Sequence, residues 1–287
     1  MAPPSPSPSP SPATSPATSP PAHPQPAAED AAPVLYAVQR RAAWITLNRP
    51  AQRNALSAAL VNQLDAHVAT ALADPAVRCI VLTGAGPGFC AGADLKSPPG
   101  QMIEGKAGVS LADVLARLQD SPKPVIAAVN GAAFAGGLGL VGAADIVVTA
   151  ADAPYSFSEV RIGVIPAVIS VTCLPKLGTH HGMKLFLTGE RFSGARAVEI
   201  GFAHRAVPLA QLHAAVQEEV DAICLGGPIA VAECKKLVRR VLQLPRDQAF
   251  AETAEWSARM FRSAEGAEGM AAFREKRKPA WVAGPGQ

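Results

Sequence analysis

The amino-acid sequence predicts an α/β fold, with helices packed on sheets and a helical C-terminal region. Three observations carry this expectation. Short, wholly apolar runs such as VRCIVLTGAG (77–86) and KPVIAAVNG (123–131) have the length and composition of buried strands. They alternate with segments whose apolar residues recur at helical spacing, the order expected when helices are layered on a sheet. From about residue 205 onward the spacing is helical almost throughout, broken by Gly-Gly-Pro at 226–228 and Leu-Pro at 244–245.

Taken in order, the chain divides into 1–33, 34–204 and 205–287. The first 33 residues are almost entirely Pro, Ser, Ala and Thr, with no large aliphatic or aromatic side chain after Met1. Such a segment buries too little apolar surface to offset its ordering entropy, so a disordered, partly polyproline-II tail is expected. It has neither the basic start and apolar run of a secretory signal nor the arginines of a transit peptide, which points to a cytoplasmic protein. Residues 34–48 read as two short strands about a polar turn near 39–41. A helix follows over 57–73, with Leu60, Val61, Leu64 and Val68 on one face. The strand at 77–86 runs into the glycine-rich FCAGADL (89–95), then a Gly/Pro-rich stretch expected to be mobile (97–109), then a helix over 111–118. The strand at 123–131, a glycine run and a further strand at 145–152 complete the α/β portion.

Composition excludes several function classes. Apolar residues make up 49% and charged residues 17%, ordinary for a soluble globular chain. No window reaches the roughly 18–20 uninterrupted apolar residues of a membrane span. The five cysteines are scattered and odd in number, which argues for free thiols and against a disulfide frame. No metal-ligand spacing links the cysteines or the six histidines. The net charge is +3, and much of the basic excess sits in KKLVRR (235–240) and REKRK (274–278). Neither run is interleaved with aromatics, so both read as solvated helix faces and not as a nucleic-acid surface. A phosphorylated small-molecule ligand is compatible with the same charge.

The stretch AGGLGLVGAAD (135–145) contains a literal G-x-G-x-x-G at Gly137, Gly139 and Gly142. A dinucleotide fingerprint needs a strand entering the first glycine, a long helix and then a second strand closed by an acid. Here the preceding strand ends near Val129, and the next begins close behind Gly142, leaving no room for a crossover helix. The match is accidental. Gly136 and Gly137 instead open a short helix after a buried strand, where unpaired N–H groups and a positive dipole end can approach a developing oxyanion. FCAGADL offers a second such turn. Tight turns that only pack strand on helix would look the same, and spacing does not separate the two readings.

ITLNRPAQRNALS (45–57), FCAGADLK (89–96), KPVIAAVNGAAFAGGLGL (123–140), ADIVVTAADAPYSFSEVRIGVIPA (144–167) and MAAFREKRKPAW (270–281) together resemble the crotonase superfamily, the enoyl-CoA hydratase/isomerase family. The resemblance covers 34–281. It implies a crotonase-like spiral of ββα units, a helical C-terminal region that builds trimers or hexamers, and an acyl-CoA thioester as substrate with no metal or redox cofactor. It also implies that the N–H groups of Ala93 and Gly136 form an oxyanion hole. Ala91, Asp94, Leu95 and Lys96 would line the CoA, with Phe273 and Lys276 near it.

Two glutamates are usual in hydratases of this family. The first position corresponds to Gly139, which has no carboxylate, and the second to Glu159, the expected acid/base. Ala135 and IPAVIS (165–170) also depart from the usual glycines. One carboxylate is compatible with hydration of a 2-enoyl-CoA, including a branched one. The same carboxylate would serve Δ3-Δ2-enoyl-CoA isomerisation, and Gly139 also leaves open a non-catalytic acyl-CoA-binding member. Tyr155 and Ser158 are candidates to shape the pocket. Asp94 is expected to fix its loop, Asp145 to act as a structural cap, and Cys90 to be buried packing.

Overall fold

The computed structural model describes residue 1, residues 32–96 and residues 108–283. The expected disordered tail, apart from residues 1 and 32–33, and the expected mobile stretch, apart from residues 108–109, lie outside the described residues. The chain divides into Met1–Ala31 and Ala32–Gln287, and all described secondary structure is in the second unit. The edges of the two stretches are anchored. Asn48 donates to the carbonyls of Ala32 and Pro33, and the Val109 N–H donates to Asn62 at 2.8 Å.

Strands β1 (Val34–Gln39) and β2 (Ala42–Leu47) form an antiparallel hairpin. Its two-residue turn places Arg40 and Arg41 at φ 45° and 68°. Loop length, not turn chemistry, therefore decides the geometry, since these positions favour Asn or Gly. Helix α1 (Ala58–Ala73) is capped by Ser57, whose hydroxyl accepts from the Leu60 N–H, and buries Leu60, Val61, Leu64 and Val68.

Three ββα repeats follow. The first is β3 (Cys79–Gly84), β4 (Gly88–Cys90) and α2 (Leu111–Asp120). The second is β5 (Val125–Val129), β6 (Ala132–Phe134) and α3 (Gly136–Ala143). The third is β7 (Ile146–Ala150), β8 (Pro154–Ser156), a 3-10 turn over Ser158–Ile162, and α4 (Ala167–Thr188), which is interrupted where Gly178 takes φ 64° and ψ 172°. Each repeat contributes one strand to each of two sheets. The larger sheet has the order β1-β2-β3-β5-β7-β10, and the smaller β4-β6-β8-β9. Within the repeats all these pairings are parallel.

Period-two alternation gives the larger sheet two buried faces. Ile80, Leu82, Val125, Ala127 and Val147 join the main core with Leu60, Leu64, Leu115 and Leu140. Cys79, Val81, Ile126, Ala128 and Val148 face the other way, onto Leu212, Ala215, Val216 and Val220. Each large side chain buried in this way contributes about 1.5–3 kcal/mol.

After β9 (Phe192–Ser193) and α5 (Gly194–Glu199), β10 (Arg205–Val207) pairs with β7. The sheet thus extends past residue 204, and the continuous helical region begins at α6 (Leu212–Leu225). It continues through α7 (Pro228–Val241), α8 (Arg246–Phe261), α9 (Ala264–Glu275) and α10 (Ala280–Ala283). Among the described residues no helix is long and apolar enough to cross a membrane.

The basic run on α7 is not simply a solvated face. Lys235 is nearly buried, 2.7 Å from Asp145, and also donates to the Leu118 carbonyl. Arg239 donates to the Gln119 carbonyl and reaches Asp145. Asp145 in turn accepts from the Val125 N–H at 2.8 Å. It is structural, as expected, and it ties α7 to the end of the sheet.

Candidate active site

The smaller sheet brings the site together. Its strands β4, β6 and β8 are adjacent and parallel, so their carboxyl ends lie side by side at about 4.8 Å per strand. Ala93 follows β4, Gly136 follows β6 and Glu159 follows β8. Three residues far apart in sequence therefore follow the same end of one sheet, where parallel sheets bind ligands.

At the first junction, residues 91–94 are held by the segment that precedes α1. The Ala91 N–H donates to Arg53, the Leu56 N–H to Gly92, and the Asp94 N–H to Leu56. Leu56 and Ala93 thus form an isolated parallel bridge that uses the groups on either side of Ala93 and not its own N–H. That N–H points away from the bridge, and Ala93 is exposed. The Asp94 carboxylate accepts from Arg49 at 2.9 Å and from the Lys96 N–H at 3.1 Å. The Arg49 bond holds its carboxyl below the usual range, and the side chain fixes the loop. Leu95 and Lys96 are exposed at the rim.

Asn54, fully buried, completes this support. Its Oδ1 accepts from the Arg49 N–H at 2.8 Å, and its Nδ2 donates to the carbonyls of Ala85 and Gly88. Arg49 and Asn54 lie within the motif ITLNRPAQRNALS, where the sequence alone gives them no role. A polar residue amid RPAQRNAL was the available signal.

At the second junction Gly136 is the first residue of α3, so its N–H has no intrahelical acceptor. A Cβ added to Gly92 would stand 3.2 Å from the Gly136 nitrogen, which shows how closely the two loops approach. A Cβ on Gly137 would stand 2.5 Å from the Cys90 carbonyl oxygen, so that glycine is required by packing. Ala135 sits at φ 48° and ψ −120°. This conformation suits glycine and costs a residue with Cβ about 1–3 kcal/mol.

Gly139 lies one helical turn beyond Gly136. A Cβ there would meet Ile169 Cγ2 at 2.5 Å and Leu115 Cδ1 at 3.3 Å. The position without a carboxylate is therefore also without room for one, because an isoleucine of α4 occupies the space. IPAVIS (165–170), which departs from the usual glycines, holds Ile169, but no local periodicity signals its contact with Gly139.

At the third junction Glu159 lies in the 3-10 turn, partly buried. Its Oε2 is buried with no hydrogen-bond partner among the described residues. Burial raises the pKa of this carboxyl, only partly offset by a bond to its own backbone. An unpartnered buried carboxylate oxygen is costly, and such a group persists where a reaction uses it.

The remaining candidates separate. Tyr155 is fully buried and donates to Thr149 at 2.8 Å, so it belongs to the core and does not shape the pocket. Ser158 shares the turn of Glu159. Cys90 is fully buried and its thiol is pushed up to about 12 by desolvation, in keeping with packing. Phe273 and Lys276 are exposed at the end of α9, and among the described residues no hydrogen bond, ion pair or ring contact joins them to 91–96.

Ala93, Gly136 and the partly buried Glu159 thus follow three neighbouring strands of one sheet. A family model described as enoyl-CoA hydratase/isomerase matches residues 38–284. An enoyl-CoA hydratase of Mycobacterium tuberculosis is 36% identical over 241 residues, covering 82% of this chain and 91% of its own. A carnitinyl-CoA dehydratase of Proteus mirabilis is 33% identical over 244 residues, covering 83% and 93%. The crystal structure of an enoyl-CoA hydratase from Mycobacterium smegmatis matches with a TM-score of 0.80 at 32% identity, covering 87% of this chain and 98% of that one. The chain belongs to the enoyl-CoA hydratase/isomerase family of the crotonase superfamily.

Proposed function

We propose that this protein hydrates a 2-enoyl-CoA thioester, with Glu159 as acid/base and the Ala93 and Gly136 N–H groups as oxyanion hole. The observation that carries the reading is the placement of those three residues after β4, β6 and β8 of one sheet, with Glu159 Oε2 buried and without a partner among the described residues. The relatives are named for hydration and for dehydration of CoA thioesters, opposite directions of one reaction type.

In the forward direction Glu159 accepts a proton from water as the water oxygen bonds to C3. The C2–C3 π pair becomes the C1–C2 bond of an enolate as the carbonyl π pair moves onto the thioester oxygen, where the two N–H donors hold it. Glu159 then returns the proton to C2, leaving the 3-hydroxyacyl thioester. One carboxyl suffices, because the proton it takes is the proton it gives. Its raised pKa makes it a stronger base toward water than an ordinary carboxylate. Each N–H donor lost from such a hole costs about 2.7–4 kcal/mol. Polarisation and proton transfer both come from the chain's own groups, so the chemistry calls for no metal or redox cofactor.

The CoA portion runs along Ala91, Asp94, Leu95 and Lys96. Lys96, exposed at the rim, presents its ammonium to the CoA phosphates. Phe273 and Lys276 reach CoA only in the assembled oligomer, a trimer or hexamer, in the cytoplasm. Three of the five free thiols being buried accords with a reducing location.

The packing of Ile169 against Gly139 favours one second reading, transfer of a proton between C4 and C2 of a 3-enoyl thioester by the same carboxyl. Incubating the enzyme with 2-enoyl and 3-enoyl thioesters in 18O-water separates the two. Label at C3, lost with Glu159→Gln along with at least a hundredfold of kcat, is expected. Double-bond migration without label would establish the isomerase, and binding without turnover would overturn both.

A further inference from the structure

The peptide joining Ala135 to Gly136 carries one of the two N–H groups assigned to the thioester oxygen, and ψ of Ala135 sets its plane. At ψ −120° the Gly136 nitrogen lies close to the Gly92 turn, 3.2 Å from where a Gly92 Cβ would stand. Relaxing ψ to an ordinary extended value near +130° would turn the plane by about 110° and carry the N–H away.

The strained conformation is held on three sides. The Ala135 N–H donates to the Ser156 carbonyl at the end of β8 at 3.0 Å, and its carbonyl accepts from the Leu138 N–H at 2.8 Å. Its methyl occupies the space that Gly92 leaves open, since a Cβ on Gly92 would lie 2.8 Å from the Ala135 Cβ. Gly92 takes φ +88°, and its carbonyl carbon is bonded to the Ala93 nitrogen. The methyl is therefore wedged between the two peptides that bear the two donors.

We propose that Ala135 is a positioning residue, whose methyl seated against Gly92 sets the separation and direction of the Ala93 and Gly136 N–H groups. This rests on the oxyanion-hole reading of those groups. Backbone strain next to a reacting centre is retained when the surrounding contacts over-determine it, as they do here. A glycine at 135 would adopt the same φ and ψ without strain, yet would leave the two loops without their spacer.

Ala135→Gly therefore moves stability and activity in opposite directions. Its Tm is expected to equal or exceed that of the wild type. Its kcat on crotonyl-CoA is expected to fall on the order of tenfold, with KM changed by less than about threefold, the split expected when only transition-state contacts are loosened. The independent readout is the carbonyl stretching frequency of bound 13C-labelled butyryl-CoA, a saturated thioester with no double bond to hydrate. Wild type should lower it relative to water, and Ala135→Gly should lower it less. An unchanged kcat and an undiminished frequency shift in the variant would overturn the role of Ala135 while leaving the oxyanion hole standing. A wild-type frequency equal to that in water would overturn the oxyanion hole itself.

Discussion

Glu159 is a carboxyl whose usefulness and whose cost have the same origin. Burial raises its pKa in the fold above the unfolded value, so ionisation destabilises the native state once the pH exceeds the unfolded value. Glu159→Gln, neutral at every pH, should melt higher than wild type near pH 7, and the difference should vanish as pH falls below the ordinary carboxylate value of 4.5. Melting curves across that range test it, and a pH-independent difference would refute the burial account. Gly139 makes a second test at the same scale. Overpacking against Ile169 should cost Gly139→Ala about 1–3 kcal/mol, more than its helix-propensity gain of about 1 kcal/mol. In an Ile169→Ala background the added methyl enters vacated space, so a double-mutant cycle in urea should show favourable coupling of about 1 kcal/mol or more. Strict additivity would mean the two sites do not touch.

At the scale of elements, α3 is tied at both ends. Its N-terminus presents the Gly136 N–H. Beyond its last turn, Lys176 of α4 donates to the carbonyls of Val141 and Ala144. Desolvation lowers the Lys176 pKa from 10.5 to about 8. Between those values the unfolded chain binds more protons than the fold, so native stability rises with pH across that window. Urea unfolding from pH 8 to 10 should show this rise in wild type and a flatter dependence in Lys176→Met; parallel curves would refute it. The elements themselves were largely legible, because strands and helices of the repeats follow local periodicity. Helix α1 begins where Ser57 supplies the cap. The short β10 was not legible, since three residues have no period and their assignment depends on pairing with β7.

At the scale of the molecule, the C-terminal helices are unfinished in a single chain. Among the described residues α7 and α8 bury none and α9 only Ala272, while Val238, Leu242, Phe261 and Phe273 are 64–86% exposed. Exposed apolar side chains in that number are what the proposed trimer or hexamer would cover. Sedimentation should give three or six times the 29.5 kDa chain mass, and a monomer at micromolar concentration would refute the assembly.

The sequence by itself determined the alternation of strand and helix, the two glycine-rich turns and the resemblance that singles out Ala93, Gly136 and Glu159. Local periodicity, caps and motif order are properties of neighbours in the chain. Only the tertiary structure decided that the Ala93 N–H is left unused by its bridge, that Ile169 fills the space at Gly139, and that Asn54 and Arg49 brace the loop. It also withdrew Tyr155 from the pocket and Lys235 from the surface. Each of these is a contact between residues distant in the chain, set by how parallel strands stack and by which volumes their helices leave open.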